Sequence, residues 1–440
     1  MTRISRRLTT GALALLVFAG ACEVTNPGPV QDKFLDEETS HAGLVRGAER
    51  MVLETANFVF YTTAVITRVL FPGGDTNSHD PKVQGGSLPA NEVNADWANV
   101  QQALFIAESA LERGVTGENL AQAHIWAGYT YRILGENWCE WLKLAGAPQP
   151  PSAALDNAEQ HFTAALGAAA NATQTNAAYA GRAQVRVAKG DWGGALSDAA
   201  QVPPHFVFEV RPDPDFEATR SRVGWANADE PYRQFTLLFT FFGEQAVPNI
   251  RSLLPLDAND LPVTIPGTGY YAESGDPRVA WHTIPDQPFA NASLQGFGQV
   301  PWSNFKWLTD ATPIHLGTGT EMLLYRAEGM LRDGNYPGAM DLVNQVRSMY
   351  VSDHTGEPLA PWNAMSLEEA WTALKTERMI EGLLEGRRLV DLRRWAAEGT
   401  PGVAPYPRWE DLTPLFGEEP MATCFPISEN ERQRNPNLSG

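Results

Sequence analysis

The sequence predicts a mainly α-helical protein in which tetratricopeptide-like helix pairs pack with a loop-rich, irregular region. Two distant segments repeat one helix–turn–helix pattern, a long amphipathic helix follows the second of them, and the stretch between them lacks helical periodicity. The 43% content of hydrophobic residues is ordinary for a folded chain, and 440 residues are enough to bury a large core.

The chain opens with the layout of a secretory signal peptide over residues 1–21. Arg3, Arg6 and Arg7 precede a short apolar run that ends in three small residues before Cys22. This run is far shorter than the roughly 20 residues that a bilayer-spanning helix needs. The small residues before the cysteine predict lipidation of Cys22 and anchoring of the mature chain to a membrane. Ordinary signal cleavage that leaves Cys22 as a free thiol is the alternative.

Residues 22–40 have the composition of an extended tether, since proline, glycine and carboxylates dominate them. Residues 41–202 follow as an N-terminal helical part. Within it, the apolar and aromatic stretch Asn57–Phe71 predicts a core helix, because its polar residues exclude a membrane span.

The repeated pattern joins Tyr179–Val202 with Leu324–Val346. In each segment a helix ends at a glycine followed by Asp or Asn, an aromatic residue comes next, and a second helix begins near small residues. Gly190 and Gly334 occupy matching positions in the two segments. Small residues let antiparallel helices approach closely, as in tetratricopeptide-like repeats. A third, weaker copy covers Ala121–Asn137.

The segment 203–320 is rich in proline, glycine, aspartate and aromatic residues, and it predicts an irregular ligand-binding insertion of loops, short helices and short strands. An aromatic ring stacks on the apolar C–H face of a sugar, while acids and amides bind its hydroxyl groups. Packing in the core is the alternative role for each aromatic residue. The loop 73–77 is a second candidate, through Asp75 and Asn77. The candidates from the insertion are Trp225, Tyr232, Tyr270, Tyr271, Trp281, Trp302, Asn304 and Trp307.

Residues 321–440 contain the second helix pair, a long helix and a closing segment. The long helix is predicted over Ser366–Trp395, where apolar residues recur at helical spacing. Its start is marked by a capping box, in which Glu369 follows Ser366 by three residues.

Charged residues on this helix invite a catalytic or metal-binding interpretation. Glu377, Glu381 and Glu385 are four residues apart and so share one helix face, but the sequence lacks the Glu-x-x-His pairs of a di-iron bundle. We therefore predict a structural salt-bridge network, in which the spacing of Arg387 and Asp391 makes them partners. Its further members are Arg378 and Arg388.

Two pairs of residues are candidates for local cross-links. Asp276 and Arg278 lie on either side of a proline and predict a turn with an internal ion pair. Cys139 and Cys424 either form a disulfide in an oxidising compartment or remain as two buried thiols, and the sequence leaves both alternatives open.

Charge and motifs exclude several classes of function. The formal net charge is −19, and cleavage before Cys22 removes three arginines and no acid. Without a strong local basic patch, such a chain does not bind nucleic acid or anionic lipid. The sequence has no CxxC, no HExxH and no Cys/His cluster at metal-ligand spacing, and its GTGTE stretch at Gly317 does not follow a strand pattern. We therefore predict no metal, cofactor or catalytic residue.

Five stretches, in chain order, resemble the SusD/RagB family of outer-membrane nutrient-binding lipoproteins. Their order and co-occurrence carry the resemblance more than any one motif, and Ser428 stands where proline is usual in the last of them. The stretches are Leu44–Val52, Ser274–Trp281, Glu321–Arg347, Lys375–Trp395 and Cys424–Leu438.

The resemblance implies a SusD-like helical body with a loop-rich ligand face, anchored by lipid in the outer membrane and facing outside. It also implies a partner, a SusC-type TonB-dependent transporter, to which a glycan or other oligomeric nutrient is delivered. Binding residues of the family lie in variable loops, so none carries over residue by residue. Two further hypotheses remain: a tetratricopeptide-type adaptor that binds protein, and an all-α glycosidase with two carboxylates flanking the scissile bond.

Overall fold

The computed structural model confirms the mainly helical fold class. It describes residues 32–67, 69–72, 83, 86–216, 219–224, 235–236, 270–283, 302–304, 309–403 and 422–438. The helices are α1 (Glu38–Ile66), α2 (Asn94–Glu112), α3 (Gly117–Asn137), α4 (Pro151–Ala168), α5 (Ala172–Lys189), α6 (Trp192–Ala199), α7 (Tyr270–Ser274), α8 (Gly319–Arg332), α9 (Tyr336–Ser348), α10 (Leu367–Glu381), α11 (Arg388–Glu398) and α12 (Glu429–Arg434), with 3-10 turns at Asp32–Phe34, Pro277–Val279 and Pro436–Leu438.

Helix α1 is longer at its start than the predicted core helix Asn57–Phe71, and it ends five residues earlier. It begins at Glu38 and ends at Ile66, so it also contains the stretch Leu44–Val52. Val45, Val52, Val59 and Ile66 recur every seventh residue and are all buried, which makes one continuous apolar face. Phe71 instead belongs to a short strand.

The two segments that repeat in sequence form matched helix pairs. Helix α5 ends at Gly190 with φ 78° and helix α8 is followed by Gly334 with φ 77°, both in the left-handed region that favours glycine. The next helix of each pair starts with the same cap. The Asp191 carboxylate accepts a hydrogen bond from the Gly194 amide at 3.1 Å, and the Asn335 carbonyl oxygen accepts one from the Gly338 amide at 3.1 Å.

Small residues allow close contacts between these helices. A Cβ atom on Gly329 of α8 would lie 2.7 Å from the Leu196 side chain of α6, so the second pair packs directly on the first. The third, weaker copy lies in α3, which packs against α4 and encloses Phe162 between Gly128 and Gly181.

The predicted long helix Ser366–Trp395 is wrong in one respect, because it is broken into α10 and α11. Residues 382–387 separate them, with Leu384 at φ 63° and Gly386 at φ 70°. A Cβ atom on Gly386 would overlap the Phe60 ring of α1, so the close approach of α1 requires glycine there. At the start, Ser366 accepts a hydrogen bond from the Glu369 amide at 3.2 Å, and Glu369 accepts one from the Met365 amide at 2.6 Å.

Three antiparallel two-stranded ribbons join the helical frame. Their strands are β1 (Phe71–Pro72), β2 (Val207–Val210), β3 (Phe235–Thr236), β4 (Trp281–Thr283), β5 (Trp302–Asn304) and β6 (Ile314–Thr318). The pairs are β1–β3, β2–β6 and β4–β5. Five of these six strands, all but β1, lie in the described parts of the segment 203–320, which was predicted to contain loops, short helices and short strands.

Cys139 and Cys424 form a disulfide, with their Cα atoms 5.1 Å apart. The bond fastens the closing segment to the end of α3. Next to it the Cys139 amide donates to the Phe425 carbonyl at 2.9 Å, and the Phe425 amide donates to the Asn137 carbonyl at 2.7 Å. Within the described ranges, every helix is too short or too polar to cross a lipid bilayer.

Candidate functional site

The charged motif residues of the C-terminal part form a buried ion-pair network. The predicted pair is present: Arg278 contacts Asp276 at 2.7 Å, and both side chains are almost fully buried. Arg278 also pairs with Glu377, which in turn contacts Arg347 at 3.2 Å. Burial raises the pKa of Glu377, while Arg278 and Arg347 oppose that shift. These contacts join the turn Pro277–Val279 to α9 and α10, so they stabilise the fold.

A second group of ion pairs surrounds the break between α10 and α11. Arg378 contacts Asp391 at 2.6 Å, which confirms the structural interpretation of the charged helix. Arg387 is paired differently from the prediction, because it contacts Glu136 of α3 at 2.7 Å and Glu321 of α8 at 3.0 Å. The broken helix turns its side chain away from the i, i+4 position and toward the N-terminal half.

Glu328 is a buried carboxylate whose ionised form is stabilised by its neighbours. Burial alone would raise the pKa of its carboxyl, but the Arg394 guanidinium in contact with it lowers the pKa to about 2. The indole N–H of Trp395 also donates to Glu328 at 3.1 Å. Both oxygens of the Glu328 carboxylate therefore accept hydrogen bonds inside the protein.

A cleft of about 530 Å³, with a mostly apolar lining, opens beside the first group of ion pairs, within the size range of small-molecule sites. Its floor is the Glu381 carboxylate, which accepts hydrogen bonds from Tyr350 at 3.0 Å and from Thr320, and pairs with Arg278 at 2.9 Å. Burial and the adjacent Glu381 raise the pKa of Tyr350, so its hydroxyl stays a donor. The rim includes Pro204, His205, Phe206, Val207, Pro277, His315 and Met349.

His315 lies at one side of this cleft between two carboxylates. Its Nδ1 is 2.9 Å from Glu385 Oε1, and its Nε2 is 3.6 Å from Glu209 Oε2. Glu209 and His315 are register partners in the β2–β6 ribbon, and Glu385 comes from the break after α10. The sequence analysis missed this cleft, because Thr320 and Tyr350 carry no motif and Glu381 looked like one more helix-face charge.

Tyr270 and Tyr271, both candidates from the sequence, engage their hydroxyl groups inside the protein. Tyr270 accepts from Arg347 at 2.8 Å and donates to Asp276 at 3.1 Å, and burial raises its pKa to about 12. Tyr271 donates to Asp353 at 3.1 Å. Tyr270 therefore belongs to the ion-pair network rather than to an open surface.

The β4–β5 ribbon brings three other candidates together. Trp281 is the register partner of Asn304, and Thr283 is the partner of Trp302. Register partners and residues two apart occupy the same face of an antiparallel pair. Trp281, Trp302 and Asn304 therefore lie on one face with Thr283, and the partners His282 and Ser303 lie on the other.

This ribbon is adjacent to the cleft along the chain. The turn Pro277–Val279 lines the cleft, and strand β4 begins at Trp281, three residues after Arg278. Three residues span at most about 11 Å, so the ribbon starts close to the cleft. The remaining candidates lie outside the described residues: Cys22, Asp75, Asn77, Trp225, Tyr232 and Trp307.

Comparisons with known proteins agree with this architecture. Residues 320–439 match the SusD family. A solved SusD-like carbohydrate-binding protein from Bacteroides fragilis has a TM-score of 0.61 at 14% identity, covering 92% of this chain and 100% of that chain. A second, from Bacteroides vulgatus, has a TM-score of 0.58 at 12% identity, covering 81% and 83%.

A third solved structure, of a laminarin-binding SusD-like protein, has a TM-score of 0.55 at 15% identity and covers 90% of this chain and 97% of that chain. None of the curated proteins is similar enough in sequence to count as a match. The family match includes the second helix pair, the charged helix and the closing segment, and the fold extends the likeness over most of the chain. Residues 320–439 of the chain are therefore similar to the SusD family, and most of the chain has the fold of SusD-like proteins.

Proposed function

We propose that this protein binds a glycan, or another oligomeric nutrient, without cleaving it. The observation that carries the proposal is the β4–β5 ribbon, whose one face holds Trp281, Trp302 and Asn304. Two indoles and an amide are the groups that a sugar chain needs, since its rings present apolar C–H faces between hydroxyl groups. Two of the similar structures are described as carbohydrate-binding and laminarin-binding proteins, which supports the same class of ligand.

The adjacent cleft supplies polar groups for the same ligand. Thr320, Tyr350 and Glu381 lie on its floor, and the half-buried Phe206 lies at its rim. The ion pairs beneath hold these side chains in place, so little conformational entropy is lost when a ligand binds. We assign the insertion 203–320 as the ligand-binding part of the chain on these grounds.

We further propose that the mature protein is a lipoprotein of the outer membrane, anchored through Cys22 and facing outside. The predicted tether 22–40 ends earlier than expected, because α1 begins at Glu38. The disulfide between Cys139 and Cys424 supports a location outside the reducing cytoplasm. A SusC-type TonB-dependent transporter is the proposed partner, and it would receive the bound nutrient.

Affinity electrophoresis through gels that contain single polysaccharides tests the binding proposal. We expect at least one polysaccharide to retard the protein, and we expect Trp281→Ala with Trp302→Ala to abolish the retardation. His282→Ala with Ser303→Ala is the matched control, because it changes the opposite face of the same ribbon. Retardation that survives loss of both tryptophans would remove the ribbon as the site, and sugars released into the eluate would favour the glycosidase hypothesis.

The partner is tested by purifying the protein from native outer membranes of cells grown on the retained polysaccharide. A large β-barrel transporter should co-purify, and the variant Cys22→Ala should no longer fractionate with the membrane. Recovery of the protein without a barrel would contradict delivery to a transporter, whatever the gels show.

A further inference from the structure

A second recess lies between helix α1 and the loop that follows strand β2. It measures about 250 Å³, the size to hold one or two ring-shaped units of an oligomer rather than a long segment. Arg46 and Arg50 line one side, one helical turn apart, and Arg211 lines the other. Phe216 completes the opening, and its side chain is 59% exposed.

The three guanidinium groups retain donors for a ligand. Arg50 uses its Nε in a 3.0 Å contact with Glu54, and Arg211 uses one Nη atom on Glu209. In the part of the chain that the structure describes, Arg46 has no hydrogen-bonded partner. A guanidinium presents five N–H donors in a plane, a geometry that matches the two oxygens of a carboxylate.

Three arginines are gathered in this recess on a chain of net charge −19. Two carboxylates, Glu49 and Asp213, also line it, and Glu54 and Glu209 beside it pair with Arg50 and Arg211. Asp213 accepts a hydrogen bond from the Asp215 amide at 3.0 Å, which partly satisfies its carboxylate. An anionic group that enters the recess can accept hydrogen bonds from the guanidinium donors that these carboxylates leave unused.

Phe216 identifies the rest of the ligand. A phenyl ring that is mostly exposed at the mouth of a recess offers an apolar face, on which the C–H face of a sugar ring can stack. We infer that the recess binds an acidic saccharide, with the arginines on the carboxylate of a hexuronate unit and Phe216 on its ring. This inference rests on the proposed function and names the class of glycan.

The test compares a trimer of galacturonate with the same trimer as its methyl ester, by isothermal titration calorimetry on the purified full-length protein. The ester has nearly the same shape and no charge. We expect the acid to bind at least about tenfold more tightly, since hydrogen bonds to charged groups are the stronger ones. We also expect only the affinity for the acid to fall as salt is raised.

Variants assign the effect to the recess. Arg46→Gln with Arg50→Gln should remove the preference for the acid, while Arg434→Gln, an exposed arginine on α12, should leave it unchanged. Phe216→Ala should weaken the binding of the acid and of the ester by similar factors. All these side chains are exposed, so we expect unchanged melting temperatures, which confirm that the variants fold.

Equal affinities for the acid and the ester, or a preference that survives the double arginine variant, would overturn the inference. Binding of a triglutamate peptide as tight as that of the acid trimer would also overturn it, because the site would then recognise carboxylates without regard to sugar. A protein retained by neutral polysaccharides that shows no preference for the acid refutes only this inference. A protein that binds no glycan of either kind refutes the proposed function itself.

Discussion

Acid should destabilise this protein through a pair of histidines at the contact between α3 and α4. The Nδ1 atoms of His124 and His161 are 3.0 Å apart, and the His161 ring stacks on Tyr131 with centroids 5.5 Å apart. Burial, together with the nearby His124 and Lys143, lowers the pKa of His161 to about 4. Burial also lowers the pKa of His124. Both imidazoles are therefore neutral in the folded protein at neutral pH.

The sign of the effect follows from the direction of these shifts. In the unfolded chain a histidine titrates near its usual pKa of about 6.5, so between pH 6.5 and 4 the unfolded state binds the proton that folded His161 refuses. Stability contributed by the neutral ring is present above pH 6.5 and is lost as the pH falls. Between pH 7.5 and 5.0, the linkage relation gives a loss of about 2 kcal/mol from His161.

Urea unfolding of the wild type and of His161→Gln at pH 7.5 and pH 5.0 measures this contribution. Glutamine keeps an amide that can hydrogen-bond to His124 and does not titrate. The variant should therefore lose about 2 kcal/mol less than the wild type between the two pH values. His205→Gln removes an exposed imidazole as a control and should behave as the wild type. Equal losses in the wild type and in His161→Gln would show that the folded His161 binds its proton as readily as the unfolded chain does, and would refute the reasoning.

Three further predictions concern the features that hold the fold. Glu377→Gln leaves Arg278 and Arg347 without their shared buried partner and should lower the free energy of unfolding by about 3–5 kcal/mol. The control Glu54→Gln, in an exposed pair, should lower it by less than about 1 kcal/mol, and a loss below about 1 kcal/mol for both variants would contradict a stabilising role of the network. Replacing Cys139 and Cys424 by alanine removes a cross-link between residues 285 apart and should lower the free energy of unfolding by up to about 5 kcal/mol. A reducing agent should produce the same loss in the wild type and no further loss in the variant. Gly386→Ala should lower the free energy of unfolding by about 2–4 kcal/mol, since it combines left-handed backbone strain with overlap of the Phe60 ring. Gly399→Ala, with φ 60° and open space around it, should lower it by only about 1–2 kcal/mol, and equal losses in urea unfolding would exclude the overlap.

Local signals in the sequence were sufficient for the helical class and for the paired helices. Gly190 and Gly334, each followed by a capping Asp or Asn, end one helix and start the next through contacts within four residues. The ion pair of Asp276 with Arg278 is equally local. Such features depend on neighbouring residues alone, so the pattern of residues is enough to predict them.

The break between α10 and α11 and the register of the strands depend on distant parts of the chain, so they could be seen only in the tertiary structure. The apolar period continues through Leu383 and Leu384, so only the Phe60 ring, more than 300 residues away in sequence, shows why the helix must break at Gly386. Strand register, which places Trp281 and Trp302 on one face, is set by pairing across a segment without periodicity.

The ion pairs also show both kinds of dependence, on neighbouring residues and on distant ones. The sequence identified Arg387 as a member of an ion-pair network, but its partner Glu136 lies on a helix of the other half of the molecule. The pairing of Cys139 with Cys424 and the convergence of Arg46 and Arg50 with Arg211 are also long-range. The pattern of residues was enough to predict the class of fold, the helix caps and the kinds of residue available for binding. The contacts between these residues depend on packing, because residues far apart in sequence come together only when the apolar faces between them are buried.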